Sequence, residues 1–448
     1  MKTNKAVPKI LGAAVLLALT SIAAQAETLS QFFAASTING QIRSYYFNRL
    51  YGAPNVPNAS SFSIGGLLNI QTAPFLGGFG VGVSFYTAND LGANDLNGGP
   101  SYPHVDTTLM GPRQSINALG QAYLQYAIPK KLLIRAGDQV INTPWVNNSD
   151  SRILPATYQG ILAQVTPVKN LSLYGMRIFR WKSRTSADYY KDNLYYPSAY
   201  SGDSMYGGSN PAKLITSSSP QTSGALGFGA SYALLGAKAQ LWYYDYYQFA
   251  NMFYGDLKYT LKTGTGFDPF IGGQFLREYM NNSLLGNVNA TAYGLIGGVN
   301  YKTGFGKGSL SLAYNAINPQ GAASYGDGSI VSPYTVGYAT DPLYTTSMIR
   351  GLVELGPGHG WKVKLTQNLF NKQVLLMVAF ARYNTYLNGN SNDAYVDLTY
   401  FPQGMFKGLS IRDRVEVAAG GNMAFNNGAG GNIGQSFIYN RVMLSYAF

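Results

Sequence analysis

Apolar and polar residues alternate one by one through many short stretches of this chain. In FYGDLKYTLK, residues 253–262, Phe253, Leu257, Tyr259 and Leu261 fall on one side, and Tyr254, Asp256, Lys258, Thr260 and Lys262 on the other. A period of two marks a strand with unlike faces, here one apolar and one ionic. WKVKLTQN sets Trp361, Val363 and Leu365 against Lys362, Lys364 and Thr366. LSIRDRVEV sets Leu409, Ile411, Val415 and Val417 against Arg412, Arg414 and Glu416, with Asp413 the exception on the apolar side. The same rule predicts strands over 38–48, 121–128, 132–140, 293–301, 309–316 and 395–400. The last stretch, QSFIYNRVMLSYAF, alternates up to Phe448.

Two kinds of connection separate these strands. IPKK near Pro129, KTGFGKG at 302–308 and FPQGMFKG at 401–408 carry the Gly and Pro of tight turns. The spans 87–106 and about 188–223 are long, polar and irregular. Short turns on one rim and long loops on the other are the asymmetry of an outer-membrane β-barrel, a contrast that a soluble sandwich does not predict.

Other features fit that choice. Lys2, Lys5 and Lys9 precede the apolar run Ile10–Leu19 and the small-residue site Ala24-Gln25-Ala26, so residues 1–26 read as a secretory signal peptide cleaved after Ala26. The run is too short for a membrane-spanning helix, and VLLMVAFA at 374–381 is shorter still. Residues 27–448 then form one barrel domain with a formal charge near +9, the three leader lysines being lost. The whole chain has 36 Tyr and 53 Gly, only 12% charged residues and no Cys, and its mean hydropathy is near zero. That profile excludes a disulfide framework and a thiolate metal site. It suits strands whose lipid-facing and lumen-facing residues average out. The apolar face of the final strand meets lipid, and the sheet closes because an open edge in hydrocarbon would leave backbone groups unpaired.

Enzyme readings find little support. The two histidines, His104 in a polar loop and His359 in the turn GPGHG, stand near no nucleophile and acid set. Two histidines without cysteine are too few for the usual metal site. GFGVG at 78–82 lacks the strand-to-helix context of a nucleotide loop. The basic charge alternates with lipid-type residues, which argues against nucleic acid. No catalytic residue, metal or cofactor is assigned.

Several segments resemble the OprD family of substrate-specific outer-membrane porins. INGQIRSYYFNRLY at 38–51 is similar to the family's first strand, and NTPWVNNSDSRILPATYQG at 142–160 to the stretch entering its inward-folding constriction loop. YATDPLYTTSMI at 338–349 and the terminal strand add to the likeness. The resemblance implies 18 antiparallel strands and a monomer in the Gram-negative outer membrane, in contact with lipid and lipopolysaccharide. It implies passage of small anionic or zwitterionic, carboxylate-bearing solutes, and recognition of the terminal Phe448 by the barrel assembly machinery.

Parity places Arg43, Arg49, Arg135, Arg177, Lys258, Lys262, Lys362, Lys364, Arg412, Arg414 and Arg441 inward, against few acids, chiefly Asp256, Asp397 and Glu416. Such an excess in a narrow aqueous pore concentrates anions. Guanidinia can pass a carboxylate from one to the next by paired hydrogen bonds. The resemblance implies a basic ladder of this kind; a one-residue register slip would turn any rung outward. In the expected constriction, Ser149, Asp150, Ser151, Arg152 and Tyr158 could contact solute or merely fasten the loop to the wall. A general diffusion pore and a closed barrel acting in adhesion remain as alternatives.

Overall fold

The computed structural model describes residues 28–52, 57–97, 102–196, 215, 218–421 and 437–448; the predicted leader lies outside them. Eighteen antiparallel strands form one sheet. They run β1 (Thr37–Tyr51), β2 (Ala59–Gln71), β3 (Phe79–Asn89), β4 (Ser115–Ile128), β5 (Leu132–Gln139) and β6 (Thr157–Val165). Next come β7 (Leu171–Lys182), β8 (Ala225–Leu234), β9 (Ala237–Tyr246), β10 (Ala250–Thr260), β11 (Phe267–Asn282) and β12 (Gly286–Thr303). The last third is β13 (Gly306–Ile317), β14 (Gly358–Leu369), β15 (Val374–Thr385), β16 (Gly389–Tyr400), β17 (Leu409–Gly420) and β18 (Phe437–Ala447). Each strand pairs with its neighbours in sequence, and β1 also pairs with β18, which closes the barrel. The closing ladder reaches the last residue: Phe448 and Gly40 exchange backbone hydrogen bonds of 3.0 and 3.1 Å. No edge is left to present unpaired groups to hydrocarbon.

The alternation read from sequence becomes two surfaces. Leu124, Phe228, Ile271, Leu295 and Leu312 face outward and are exposed, as a lipid-facing wall requires. Their neighbours in sequence turn into the barrel. VLLMVAFA lies in β15, where Leu375, Met377, Ala379 and Ala381 supply the buried inward set. The abundant Gly and aromatic residues meet across strands: Gly82 opposes Tyr123, and Gly229 opposes Trp242. A Cβ at either glycine would stand 2.2 or 2.4 Å from the facing ring, so the ring occupies the space that the glycine leaves open.

Connections 129–131, 235–236, 304–305 and 401–408 lie on one rim, and 90–114, 140–156, 183–224 and 318–357 on the other. The long-loop rim is uneven, because 247–249, 283–285 and 386–388 are also short. Two further details depart from the sequence reading. His359 lies within β14 rather than in a turn, its ring stacked 6.2 Å from Tyr314. A short helix, α1 (Leu29–Ala34), precedes β1; Thr28 and Gln31 cap it reciprocally, and Phe32 packs 5.7 Å from Phe75 in the turn after β2.

Candidate functional site

The lumen is narrowed by loops that fold inward from the long-loop rim. In 140–156, Ile141, Trp145, Val146, Ile153 and Leu154 are fully buried. Trp145 packs edge-on to Tyr254 at 6.0 Å, and Tyr246 donates a hydrogen bond to its carbonyl at 3.3 Å. The polar half of the loop meets the opposite wall. Arg43 holds Asp150 in a two-pronged pair at 2.6 and 2.8 Å and donates to the Arg152 and Ile153 carbonyls, each at 3.1 Å. Arg152 donates to the Thr108 carbonyl at 3.0 Å, to Ser151, and lies over the Phe47 ring. Ser149 accepts from Arg184 at 3.0 Å. Tyr158, the second residue of β6, donates to the Asn147 carbonyl at 2.7 Å and so ties the loop to the strand that follows it.

A second insertion comes from 318–357. Glu278 of β11 accepts the Val331 N–H at 2.7 Å, Arg350 pairs with Asp393 of β16 at 2.6 Å, and Lys362 donates to the Thr346 carbonyl at 2.6 Å. Asp341 and Glu354 lie within this insertion, both buried. Burial, reinforced by the Asp341 charge, raises Glu354 to about 8; burial likewise raises Asp341. The opposite holds at Asp106, in 90–114. Burial opposes its ionisation, but the guanidinia of Arg49, 2.8 Å away, and Arg152 outweigh that and hold the carboxyl below its ordinary range.

The bases concentrate on one wall, where β17, β18 and β1 adjoin. Arg414 of β17 stands directly opposite Arg441 of β18, and Arg412 occupies the inward position one step toward the short-turn rim. Asp397 of β16 accepts from both neighbours on β17: Arg412 through two bonds at 2.8 and 2.5 Å, Arg414 through one at 2.9 Å. Arg441 lies over the Tyr439 and Phe47 rings at 4.1 and 5.5 Å. Among the described residues, Arg441 Nε and both Glu416 carboxylate oxygens have no hydrogen-bond partner.

Arg43, Arg49, Arg135, Lys258, Lys362, Lys364, Arg412, Arg414 and Arg441 therefore face inward, as do Asp256, Asp397 and Glu416. Their surroundings differ. Arg43 and Arg49 are joined to loop carboxylates, Arg135 donates to Gln125 at 3.1 Å, and Lys258 lies 3.8 Å from the Phe270 ring centre. Arg177 is a correction. It pairs in register with outward Ile161 and Leu226, lies over Phe179 and Tyr247, and donates to the Ser223 carbonyl at 2.8 Å. The apolar Met176 and Ile178 turn inward instead, because the interior here is packed with loop residues rather than water, and a bulge beside Phe179 shifts the register beyond them. Lys262 is a second correction: it lies in the exposed short-rim turn, paired with Asp268 at 2.7 Å. Sequence reading did not single out Asp106, Arg184, Arg350 or Glu354. Arg350 directly follows the family-like segment 338–349, but nothing in its spacing distinguishes an inserted loop from an exposed one.

A closed 18-stranded antiparallel barrel with loops folded into its lumen is the architecture of an outer-membrane porin. Residues 30–339 match the family described as outer membrane porin, OprD family, and the chain belongs to that family. Its members are channels of the Gram-negative outer membrane, not enzymes. A comparison with curated proteins finds no match. Among solved structures the chain is similar to OccK9 (OpdG) of Pseudomonas aeruginosa, with 18% identity over 93% of this chain and 99% of that one, and a TM-score of 0.72. OpdK of the same organism, solved with vanillate, gives 15% identity, 93% and 99% coverage and a TM-score of 0.69. OccAB3 of Acinetobacter baumannii gives 17%, 93% and 99%, and 0.70.

Proposed function

We propose that the barrel is a passive, substrate-selective channel for small carboxylate-bearing solutes. The observation that carries this reading is the grouping of Arg412, Arg414 and Arg441 on adjoining inward positions with one carboxylate, Asp397, shared between two of them. Successive guanidinia along this wall would pass a solute carboxylate from one to the next by paired hydrogen bonds, so the strip conducts the anion rather than trapping it. Trp145, Tyr254 and the insertions narrow the path, which favours a selective channel over a wide diffusion pore. The carboxylate ligand vanillate in the OpdK structure supports the same class of solute. Each chain closes its own barrel and is a pore unit by itself. The terminal Phe448 serves as the recognition point for barrel assembly.

Liposomes carrying the purified protein test this directly. The reading expects faster uptake of aromatic and aliphatic carboxylates, or of amino acids, than of neutral solutes of equal size. Uptake governed by size alone would establish a general pore, and absence of uptake would turn attention to adhesion.

A further inference from the structure

The seven short-rim turns from β4–β5 to β16–β17 repeat one pairing. Each carries lysine in the turn or within two residues of it, next to an apolar residue. Lys130 and Lys131 follow Ile128, Lys169 follows Val168, and Lys238 follows Leu235. Lys262 follows Leu261, Lys302 and Lys307 bracket Phe305, and Lys372 and Lys407 follow Phe370 and Phe406. All nine lysines are exposed, and so are the apolar residues beside them. Leu235, Phe305, Phe370 and Met405 are between 70% and 89% exposed.

Turn length alone does not account for this pattern. The short connections of the opposite rim, 247–249, 283–285 and 386–388, have no Lys or Arg in them or within two residues. Nor do carboxylates of the chain answer it. In the seven turns and the two residues either side, Asp268 is the one acid, and it pairs with Lys262. Lys302 stands directly opposite Lys307, a like-charge pair that no acid of these turns offsets. Nine lysines less one carboxylate make +8, against +9 for residues 27–448, with 29 bases less 20 acids. The net basic charge of those residues therefore resides on this rim.

We propose that the short-turn rim is a collar for anionic phospholipid headgroups of the periplasmic leaflet. Short turns lie on the periplasmic side of such a barrel. Here they continue the lipid-facing wall without a break, since exposed Leu234 ends β8 and exposed Leu235 begins its turn. A two-residue turn such as 235–236 or 304–305 carries the backbone roughly 7 Å past the strands at most. Its side chains stay where acyl chains meet headgroups. At that depth the apolar tips enter the acyl layer and each lysine extends its ammonium to a phosphate. A soluble acidic protein would account for the lysines but not for Leu235, Phe305 and Phe370 in water. The collar goes beyond the solute reading and does not rest on it.

The folded protein, reconstituted in phosphatidylcholine vesicles with a trace of spin-labelled phosphatidylglycerol or spin-labelled phosphatidylcholine, tests this. The immobilised fraction of each label gives its relative affinity for the barrel. One lysine beside an anionic headgroup favours it about fivefold. Averaged with the other leaflet, where no preference is expected, the parent should favour the anionic label about threefold. The combined variant Lys130→Gln, Lys131→Gln, Lys169→Gln, Lys372→Gln and Lys407→Gln should fall to about one, as should the parent in about 1 M salt. It keeps Lys238, Lys302 and Lys307, whose registers face the pore mouth, so its anion preference in current across an uncharged bilayer should match the parent. Faster migration of the unheated sample on denaturing gels verifies that the barrel is folded. A parent ratio near one, or a variant that keeps the parental ratio, would overturn the proposal. So would a variant that keeps its lipid ratio but loses anion preference, which assigns the collar to the pore mouth, or one that loses only binding to isolated peptidoglycan, which assigns it to the cell wall.

Discussion

Asp150→Asn should release the constriction loop. Arg43 is 3% exposed and Asp150 16%, so their pair is largely shielded from water. Removing one member of a buried pair costs about 3–5 kcal/mol, mostly because the remaining charge loses its counter-ion. Arg43 would keep the Gln41 side chain and the Arg152 and Ile153 carbonyls as acceptors, which argues for the low end, about 3 kcal/mol. At about 1.4 kcal/mol per factor of ten, the undocked population of the loop should rise by roughly a hundredfold. A thiol placed by Ile153→Cys, a fully buried position, reads that population through its rate of modification by a maleimide. The rate should rise by about two orders of magnitude in Asp150→Asn, and open-channel current noise should rise with it. Replacing Arg43 by Gln as well should restore much of the protection, since no buried charge is then left alone. A modification rate within about threefold of the parent would show that the pair does not fasten the loop, and the account of the constriction would fail.

Two other outcomes follow from the wall and from the second insertion. Asp397→Asn removes the carboxylate shared by Arg412 and Arg414; one charge acting on a passing ion at about 10 Å in water is worth about 0.4 kcal/mol, with opposite sign for anion and cation, so anion-over-cation permeability should rise about fourfold in reversal-potential measurements. A shift toward cations would contradict the assignment of this wall as the anion path. Glu354 binds its proton more tightly in the docked insertion than in free chain, so the folded form holds more protons, and docking weakens as pH rises from the ordinary carboxylate range to about 8. Channel noise should therefore increase between pH 5 and 8 and level off above, with Glu354→Gln flattening the profile; a variant that keeps the parental slope would exclude this carboxyl as its source.

The strands were legible because a barrel wall enforces a strict period of two wherever one side meets lipid and the other water. Lys362 and Lys364, opposite Trp361 and Val363, illustrate how little else is needed. The rule failed at Arg177, where the interior is filled by packed loop and an inward position accepts Met176 or Ile178 as readily as a base. It was silent on the insertions, since the polar and apolar mixture of 318–357 reads the same whether the segment lies in water or inside the barrel. The contacts that define the constriction join residues far apart in sequence. Arg43 with Asp150 and Arg49 with Asp106 are set by strand register and loop path, which local spacing does not encode. Asp413 was the reverse case: the misfit was visible in LSIRDRVEV, and the fold places it among lipid-facing residues, where Asn440 of β18 donates to it at 2.6 Å.

The most direct test of the central claim is the current through the protein, residues 27–448, in a planar bilayer under a salt gradient, with candidate carboxylates added. Small, anion-leaning steps that a carboxylate blocks, and that lose both properties together in the Arg412→Gln, Arg414→Gln double variant, are the predicted result. Large unselective steps, indifferent to carboxylates and unchanged in the double variant, would contradict it.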